Sequence, residues 1–299
     1  AIFLTALSQP ENYHLMTALE NEPFRLEFSN GDTWTPNNFD GETGGQVSML
    51  EALSRSLNIP SARLGLELGV PAVQQTLRKL GVQGDMNPYP SLLLGAQSLT
   101  PLEVSKFYLT IASNGFNMPL RAIREVTTAD GETLSRYSID IEQVVAPEAV
   151  YLLQHAMQYT MREGTGRSAY RQLPQALNVA GKTGTTNDFR DSWFAGFSGD
   201  YLGVVWMGRD DNQSTQLTGA SGALRVWTDA FRRLPQHPLG MVKPAAIETF
   251  WYDPQRAVFT EENCRGALPL PFWGEPHDLR IADCQGGYGS IRSWIKSWF

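Results

Sequence analysis

Three strand-like runs that follow one another closely constrain the fold of this chain more than any other feature. The runs are residues 180–186, 191–198 and 201–209. Short turns at Asn187-Asp188 and Gly199-Asp200 join them. Parallel neighbours need a crossover of about a dozen residues or more, so these connections predict an antiparallel meander. A helical pattern over 221–234, stopped by Pro235, indicates that a helix follows the third strand.

The chain before residue 180 is mainly helical by its apolar spacing. Helices are predicted over 46–57, 70–80, 100–114 and 150–164. A β-hairpin is predicted over 123–134, with its turn at Asp130-Gly131. Helices beside an antiparallel sheet place the chain in the mixed α/β class. Residues beyond about 236 show little periodicity and are interpreted as an irregular appendage.

Composition excludes several functions before any motif is considered. Hydrophobic residues make up 42% and charged residues 18%, which is typical of a globular protein rather than a disordered one. The net charge of −7 disfavours a nucleic-acid partner, because phosphate binding needs a basic surface. No apolar stretch approaches the roughly 20 residues that span a bilayer. The histidines have no metal-ligand spacing, so no metal is expected. No other cofactor is expected either.

The strongest chemical signal is the segment Ala180-Gly181-Lys182-Thr183-Gly184-Thr185-Thr186. Its small residues would let a ligand lie against the strand as an added strand, while Lys182 supplies positive charge. Thr183 and Thr185 supply hydroxyl donors for a carboxylate. The alternative is a polar edge strand whose lysine is solvated. A P-loop is excluded, because no GxxxxGK[ST] sequence precedes a helix here.

A second signal is Ser56-Leu57-Asn58, at the end of a helix with an apolar face. Ser56 and Asn58 can both point into a cleft while Leu57 points into the core. The alternative is ordinary capping of a helix end by small polar residues.

Taken together, the two signals resemble a known superfamily. An S-x-N triplet, followed by a K-[ST]-G triplet that opens a meander with a closing helix, is similar to penicillin-binding proteins and serine β-lactamases. Residues 3–10, 94–101, 164–167 and 191–196 are similar to the class A, bifunctional penicillin-binding proteins. Residues 208–213 and the C-terminal appendage are most similar to the 1B type of that family.

The resemblance implies a transpeptidase fold with two parts. Its five-stranded antiparallel sheet would be covered by helices, beside an all-helical subregion that carries Ser56. Residues 1–235 would form the transpeptidase domain and residues 236–299 the appendage. An alternative in another class is a non-catalytic regulatory module on this fold. A class A β-lactamase is disfavoured, because Ser54 and Pro174 occupy the positions where its glutamate would precede a Leu-Asn pair.

The implied activity is the cross-linking of peptidoglycan stem peptides by a D,D-transpeptidase, with β-lactams as substrate mimics. Ser56 would relay a proton to the leaving amine, and Asn58 would hold the acylated donor or the catalytic lysine. Lys182 would tune Ser56 and attract the carboxylate of the substrate. Residues 183–186 would bind the substrate or a β-lactam.

Within that binding strand the resemblance assigns separate roles. Thr183 and Thr185 would donate hydrogen bonds to the carboxylate, and the N–H of Thr185 would form half of the oxyanion hole. Gly184 and Thr186 would complete the contact along the strand.

The family nucleophile is the one element without a match. It lies in an S-x-x-K motif whose lysine is expected about two residues before Ala1, so the chain is expected to be truncated and inert. Ser293-Trp294-Ile295-Lys296 follows the K-T-G triplet and is interpreted as a chance match. The complete protein would be periplasmic and anchored to the inner membrane. It would also carry a glycosyltransferase domain and could bind a lipoprotein activator and division or elongation proteins.

The C-terminal residues carry two further expectations. Cys264 and Cys284 suit neither a zinc site nor a CxxC pair, so they form either a disulfide or two unpaired thiols. The aromatic end, with Trp294, Trp298 and Phe299, either docks on a neighbouring surface or is a frayed terminus.

Overall fold

The computed structural model describes residues 1–262, 264–274, 280–284 and 288–290. In this part of the chain the α-helices are α1 (Ile2–Leu7), α2 (Met49–Ser54), α3 (Asn58–Leu68), α4 (Val70–Lys79), α5 (Pro101–Ala112), α6 (Pro147–Arg162) and α7 (Ala223–Phe231). The strands are β1 (Ala18–Glu20), β2 (Leu26–Glu27), β3 (Thr33–Trp34), β4 (Gln46–Ser48), β5 (Phe116–Asn117), β6 (Glu125–Thr127), β7 (Thr133–Arg136), β8 (Glu142–Gln143), β9 (Ala180–Thr185), β10 (Ser192–Phe197), β11 (Leu202–Met207), β12 (Ile247–Asp253), β13 (Val258–Thr260), β14 (Leu268–Trp273), β15 (Arg280–Ala282) and β16 (Tyr288–Ser290). Within the described ranges, no helix combines the length and the apolar character needed to cross a membrane.

The predicted meander is confirmed as an antiparallel sheet in the order β11-β10-β9. Its register places Lys182 opposite Ala195, and Gly184 opposite Trp193. Strand β9 is therefore an edge strand with one side open to a ligand. The sheet joins three strands among the described residues rather than the five that the resemblance implied. The sequence itself contains only three closely connected strand patterns. The other two strands of the expected five were carried over from the family.

The helices cover this sheet and supply most of the core. Helix α6 packs against β9, and its Val150, Leu153 and Met157 are buried. Helix α7 packs against β10 and β11 through Trp227 and Phe231, whose rings stack 3.8 Å apart. Helix α5 packs against β11 and begins with the predicted capping box at Thr100. The predicted helices over 70–80, 100–114 and 150–164 and the hairpin over 123–134 are thereby confirmed.

The boundaries predicted for the helix over 46–57 are wrong at both ends. Residues 46–48 pair with β1 as strand β4, and Ser48 then caps α2 by accepting a hydrogen bond from the N–H of Glu51. The helix ends at Ser54, and a turn separates it from α3. The apolar spacing continued through the turn because Leu57 is itself buried, so periodicity alone could not show the break.

The irregular appendage predicted beyond about 236 is also corrected. From Ile247 onward the chain builds a mixed sheet in the order β14-β12-β13-β15-β16, in which β13 and β15 are parallel. Pro269 and Pro271 concealed strand β14 in the sequence. Proline is tolerated there because β14 lies at the edge of the sheet, where a missing N–H breaks no ladder hydrogen bond.

Cys264 and Cys284 are joined by a disulfide, which is one of the two expected states. It ties the loop after β13 to the end of β15. Ile247, Phe250 and Phe272 of this sheet belong to the same hydrophobic cluster as the helices around α6. The boundary near residue 236 stays a prediction. The aromatic end (Trp294, Trp298 and Phe299) and the 293–296 motif lie outside the described residues.

Candidate active site

The two sequence signals meet at a single contact. The Nζ atom of Lys182 donates a hydrogen bond to Oγ of Ser56 over 2.5 Å, although the residues are 126 positions apart in the chain. Lys182 projects from edge strand β9, and Ser56 lies in the turn between α2 and α3. Lys182 also donates to its neighbour's carbonyl, Thr183 O, at 3.0 Å. The ammonium is thus fixed beside the hydroxyl at the junction of the sheet and the helical subregion.

A left-handed turn presents the Ser56 hydroxyl to the lysine. Ser56 has φ +60°, a region that non-glycine residues enter rarely and at some cost. The N–H of Ser56 donates to Leu53 O and the N–H of Leu57 to Ala52 O, which stabilises this geometry. Leu57 is buried, so the turn cannot rotate without exposing it. The strain is therefore maintained by the surrounding packing.

Asn58 is the first residue of helix α3, and the start of this helix is contacted by an earlier segment of the chain. Its Nδ2 donates to Asn37 O at 2.7 Å, and its side chain lines a cavity with Ser56 and Lys182. The next N–H, that of Ile59, donates to Oδ1 of Asn38 at 2.9 Å. Helix α3 has no side-chain cap of its own at Leu57, so Asn38 supplies a capping acceptor from outside the helix.

The environment of Lys182 changes its protonation. Burial lowers the pKa of the Lys182 ammonium from its ordinary value near 10.5 to about 8. No carboxylate among the described residues forms an ion pair with it within 4.0 Å. A partly desolvated ammonium without a fixed counter-ion is suited to attract an anionic ligand.

Thr183 is held by a residue to which the sequence assigned no role. Its Oγ1 lies 2.7 Å from Oγ1 of Thr165, in the loop that follows α6. The N–H of Thr165 also donates to Ser54 O at 3.1 Å, two residues before Ser56. Thr165 thus contacts both halves of the site. The preceding Gly164 permits this approach, since a Cβ there would lie 2.3 Å from Ser54 O.

Thr185 is oriented by the segment that leads into helix α7. Its Oγ1 accepts a hydrogen bond from the N–H of Gly219 at 2.9 Å. The hydroxyl hydrogen of Thr185 stays available for a ligand on its exposed side. Ser192 holds the same segment by donating to Thr218 O at 2.8 Å and accepting from the N–H of Ala223 at 2.9 Å.

Gly184 and Thr186 complete the strand. Gly184 faces Trp193 across the sheet, and a Cβ at Gly184 would lie 3.2 Å from Trp193 Cβ. Thr186 donates from Oγ1 to Oδ2 of Asp191 at 2.9 Å and accepts from the N–H of Asp191 at 2.8 Å. The end of the strand is therefore closed by a reciprocal pair of hydrogen bonds.

Two cavities meet at Lys182. The first has a volume of about 310 Å³ and includes Ser56, Asn58 and Lys182, together with Ala1 and many apolar side chains. The second, a groove of about 760 Å³, follows residues 182–186 and is closed on its other side by residues 94–99 and the start of α5. A linear ligand in the groove would bring its end to the ammonium and the serine.

The structure brings together all the residues that the sequence selected. Ser56, Asn58 and Lys182 line one cavity, and residues 182–186 line the adjoining groove. Sequence reasoning missed Asn38, Thr165 and Gly219. Thr165 lies in the segment 164–167 that is similar to the family, but no role could be assigned to it from the sequence. Nothing in the local sequence could connect Asn38 or Gly219 to the site. Among the described residues, no group of three His, Cys, Asp or Glu side chains could hold a metal ion.

Comparison with known proteins shows the family to which this chain belongs. The family model for the penicillin-binding protein transpeptidase domain matches residues 13–223. The chain therefore belongs to the penicillin-binding protein transpeptidase family. Within it, the chain is 42% identical over its whole length to penicillin-binding protein 1B of Vibrio cholerae and covers 38% of that protein. It is 43% identical to penicillin-binding protein 1B of Escherichia coli, over 93% of the chain and 33% of the relative.

The solved structures agree on the fold. Penicillin-binding protein 1A from Haemophilus influenzae superimposes with a TM-score of 0.82 at 21% sequence identity. The match covers 93% of this chain and 48% of that one. The mixed α/β class and the transpeptidase fold are therefore confirmed. The chain spans less than two fifths of the length of these two curated relatives.

Proposed function

We propose that this chain supplies the acyl-transfer site of a peptidoglycan D,D-transpeptidase, which joins stem peptides through a serine acyl-enzyme. The observation that carries the proposal is the 2.5 Å contact between Lys182 Nζ and Ser56 Oγ, at the end of a groove lined by Thr183 and Thr185. A half-buried ammonium, a serine hydroxyl and two threonine hydroxyls form an arrangement suited to a peptide that ends in a carboxylate.

In the first step a serine oxygen attacks the carbonyl carbon between two terminal D-alanines. That serine belongs to the S-x-x-K segment that the family resemblance places before Ala1. Attack moves negative charge onto the carbonyl oxygen, and the N–H of Thr185 is one donor for it. The C–N bond then breaks, leaving an ester on the serine and a free D-alanine.

Ser56 is suited to protonate the leaving nitrogen. Its oxygen accepts from Lys182, so its own hydrogen is free to be donated. The attacking serine loses one proton to its base, and Ser56 gives one proton to the leaving nitrogen. The proton taken up by the base replaces the one that Ser56 has lost, so the step is balanced. The positive charge of Lys182 favours proton donation by Ser56 by stabilising the developing oxyanion.

The terminal carboxylate is recognised by the same strand. The hydroxyls of Thr183 and Thr185 donate to it, and the Lys182 ammonium attracts it. In the second step the amine of another stem peptide attacks the ester carbonyl carbon. The ester C–O bond breaks, the serine oxygen takes up the proton that the amine loses, and the new amide is the cross-link. A β-lactam carries the same carboxylate beside a strained amide, so it would acylate the serine and block the second step.

The complete protein is proposed to be a class A, bifunctional synthase. It would also polymerise glycan strands, be anchored to the bacterial inner membrane with this part in the periplasm, and respond to a lipoprotein activator and to division or elongation proteins. The similarity to the 1B relatives supports this wider proposal. The disulfide agrees with an oxidising compartment. Without an upstream S-x-x-K segment, residues 1–299 should form no covalent adduct with penicillin.

Labelling with a fluorescent penicillin, followed by intact-mass measurement, tests the proposal. The full-length protein should gain one equivalent, whereas residues 1–299 alone should gain none. Lys182→Ala in the full-length protein should abolish labelling without loss of folding. If the folded full-length protein fails to label, catalysis is excluded and the fold serves as a regulatory module instead.

A further inference from the structure

The arginine that precedes the serine of the candidate site contacts three carboxylates. The guanidinium of Arg55 donates from Nη1 to Oε1 of Glu51 at 2.9 Å and from Nη2 to Oδ2 of Asp40 at 2.8 Å. The same Nη2 also donates to Oε2 of Glu42. Among the described residues, each of these carboxylates forms an ion pair within 4.0 Å only with Arg55. Arg55 therefore connects helix α2 to the loop of residues 37–42, which we call the brace loop.

The brace loop also contacts the residues that follow Ser56. Its Asn37 O accepts from Nδ2 of Asn58 at 2.7 Å, and its Asn38 Oδ1 accepts from the N–H of Ile59 at 2.9 Å. The arginine contacts are made immediately before Ser56, and these amide contacts are made two and three residues after it. The turn that carries the serine is therefore attached to one loop on both of its sides.

Hydrogen bonds within the brace loop make it a compact unit. The Nδ2 atom of Asn38 donates to Glu42 O at 2.7 Å, and the N–H of Gly41 donates to Asn38 O at 3.1 Å. The N–H of Glu42 donates to Oδ1 of Asp40 at 3.0 Å. Asn38 is also buried. Because the loop is closed in this way, a displacement at its acidic residues is transmitted to Asn38 and so to the start of α3.

An aromatic contact connects the brace loop to the other half of the site. The rings of Phe39 and Phe189 are nearly perpendicular, with centroids 5.8 Å apart. Phe189 lies between β9 and β10, and its N–H donates to the carbonyl of Thr186, which lines the groove, at 3.2 Å. The brace loop thus contacts both the turn of Ser56 and the segment that follows β9. The relative position of these two parts determines the contact between Ser56 and Lys182.

The geometry of this network is more important than its strength. The Arg55 side chain is 37% exposed, and ion pairs of this kind contribute little to overall stability. A guanidinium has several donors in one rigid plane, so it can fix a loop and a helix at the same time, whereas an ammonium is a compact point charge. Ser56 has a strained left-handed conformation that persists only where its surroundings hold it. A small displacement of a reacting hydroxyl can lower a rate greatly.

We propose that Arg55 is a positioning residue for acyl transfer: by joining the brace loop to α2, it holds the Ser56 hydroxyl in contact with Lys182. The proposal rests on the proposed transpeptidase function and adds to it a residue that touches neither substrate nor the reacting atoms. Thr183 and Thr185 are held by other segments of the chain, so carboxylate binding should not depend on Arg55. Proton transfer from Ser56 to the leaving nitrogen should depend on it.

Acylation of the full-length protein by a fluorescent penicillin, followed over time at several concentrations, separates binding from bond formation. The dissociation constant of the non-covalent complex reports binding, and the limiting rate constant reports bond formation. Arg55→Met should lower the limiting rate constant by about tenfold and change the dissociation constant by about twofold or less. Arg55→Lys should recover only part of the rate, because it keeps the charge without the planar donors. A purely structural role would lower the labelled fraction and leave both constants unchanged.

Arg63→Met is the matched control. Arg63 lies in α3 and pairs with Glu20 at 3.2 Å. It also donates to Glu22 O, and its guanidinium carbon lies 4.8 Å from the ring centroid of Phe24. Its side chain is 31% exposed, close to the value for Arg55, so the two substitutions remove the same charge and similar contacts. Arg63→Met should leave the limiting rate constant unchanged.

Asp40→Asn tests the same connection from the brace loop. Asparagine can keep an oxygen acceptor for the N–H of Glu42, but it places an NH₂ group, instead of a carboxylate oxygen, beside Arg55. The limiting rate constant should fall by about two- to fivefold in the wild-type background. In the Arg55→Met background the same substitution should cause little further loss, because the interaction is already absent. If Arg55→Met does not fold, an unchanged limiting rate constant in Asp40→Asn still excludes the positioning role.

The outcomes separate the two proposals. If the wild-type full-length protein is not acylated by penicillin, the proposed transpeptidase function fails. If it is acylated but Arg55→Met keeps the wild-type limiting rate constant, or Arg63→Met loses as much as Arg55→Met, the positioning role is excluded while the transpeptidase function stands. A loss in the limiting rate constant that appears in Arg55→Met and Asp40→Asn, and not in Arg63→Met, supports the positioning role.

Discussion

The hydroxyl oxygens of Thr165 and Thr183 lie 2.7 Å apart, so the two side chains share one hydrogen between them. If Thr183 donates its hydrogen to a carboxylate, Thr165 must donate to Thr183. The backbone N–H of Thr165 meanwhile donates to Ser54 O, beside the turn that carries Ser56. One residue thus connects strand β9 to the turn that carries Ser56.

Thr165→Val should weaken recognition of a carboxylate without unfolding the protein. The substitution keeps the shape of the side chain and the backbone hydrogen bond, but it leaves the Thr183 oxygen without its donor. We expect the rate of penicillin acylation of the full-length protein to fall by about tenfold, equivalent to about 1.4 kcal/mol. Thr165→Ser should retain most of the rate.

A double-mutant cycle tests whether Thr165 acts through Thr183. In a Thr183→Val background, Thr165→Val should cause little further loss, because the interaction is already absent. Losses that simply add would contradict this pathway and indicate that Thr165 contributes independently.

The lowered pKa of Lys182 predicts how stability depends on pH. The ammonium titrates at about 8 in the folded protein and near 10.5 when exposed. Between these values the unfolded chain binds more protons, so this residue makes the free energy of unfolding rise with pH. At neutral pH the buried charge is destabilising, and the penalty disappears above the higher pKa.

Comparison with Lys182→Met isolates this contribution, because all other groups titrate equally in the two proteins. The free energy of unfolding of wild type minus that of Lys182→Met should increase from pH 7 to pH 10, by on the order of 1 kcal/mol after allowance for partial solvent screening. Chemical denaturation at each pH measures the difference. A difference that stays constant over this range would show that the lysine is not desolvated.

Asn38 should be important for both stability and the position of Asn58. It is 5% exposed, and its amide donates to Asn21 Oδ1 and Glu42 O, each at 2.7 Å, while accepting from the N–H of Ile59. Asn38→Ala should lower the free energy of unfolding by about 1–3 kcal/mol, since buried partners lose their hydrogen bonds. Asn37→Ala is the control and should cost about 0.5 kcal/mol or less. Equal losses would contradict the capping role of Asn38.

The sequence predicted those features that depend on local pattern. The meander followed from short turns between strand-like runs, and helix α5 from its capping box at Thr100. Lys182, Thr183 and Thr185 could be selected because a lysine among glycines and hydroxyls is unusual on a strand. The role proposed for them came from the order of the motifs along the chain.

Features that depend on contacts between distant residues could not be predicted. The turn at Ser56 was concealed because Leu57 continues the apolar spacing of α2 into the core. The cap that Asn38 provides to α3 and the donor that Gly219 provides to Thr185 come from segments 21 and 34 positions away. Strand β14 was missed because its prolines suggest a loop, and only its edge position makes them compatible with a sheet.

The disulfide between Cys264 and Cys284 should stabilise the C-terminal sheet. It closes a loop with a sequence separation of 20, for which chain entropy predicts about 3 kcal/mol of stabilisation. Replacing both cysteines by serine should therefore lower the free energy of unfolding, and hydrogen exchange should increase first in β13 and β15, which the bond connects. Exchange in β9–β11 should change less, because these strands form a separate sheet that the disulfide does not join. Equal acceleration in both sheets would show that the disulfide stabilises the whole molecule as one cooperative unit.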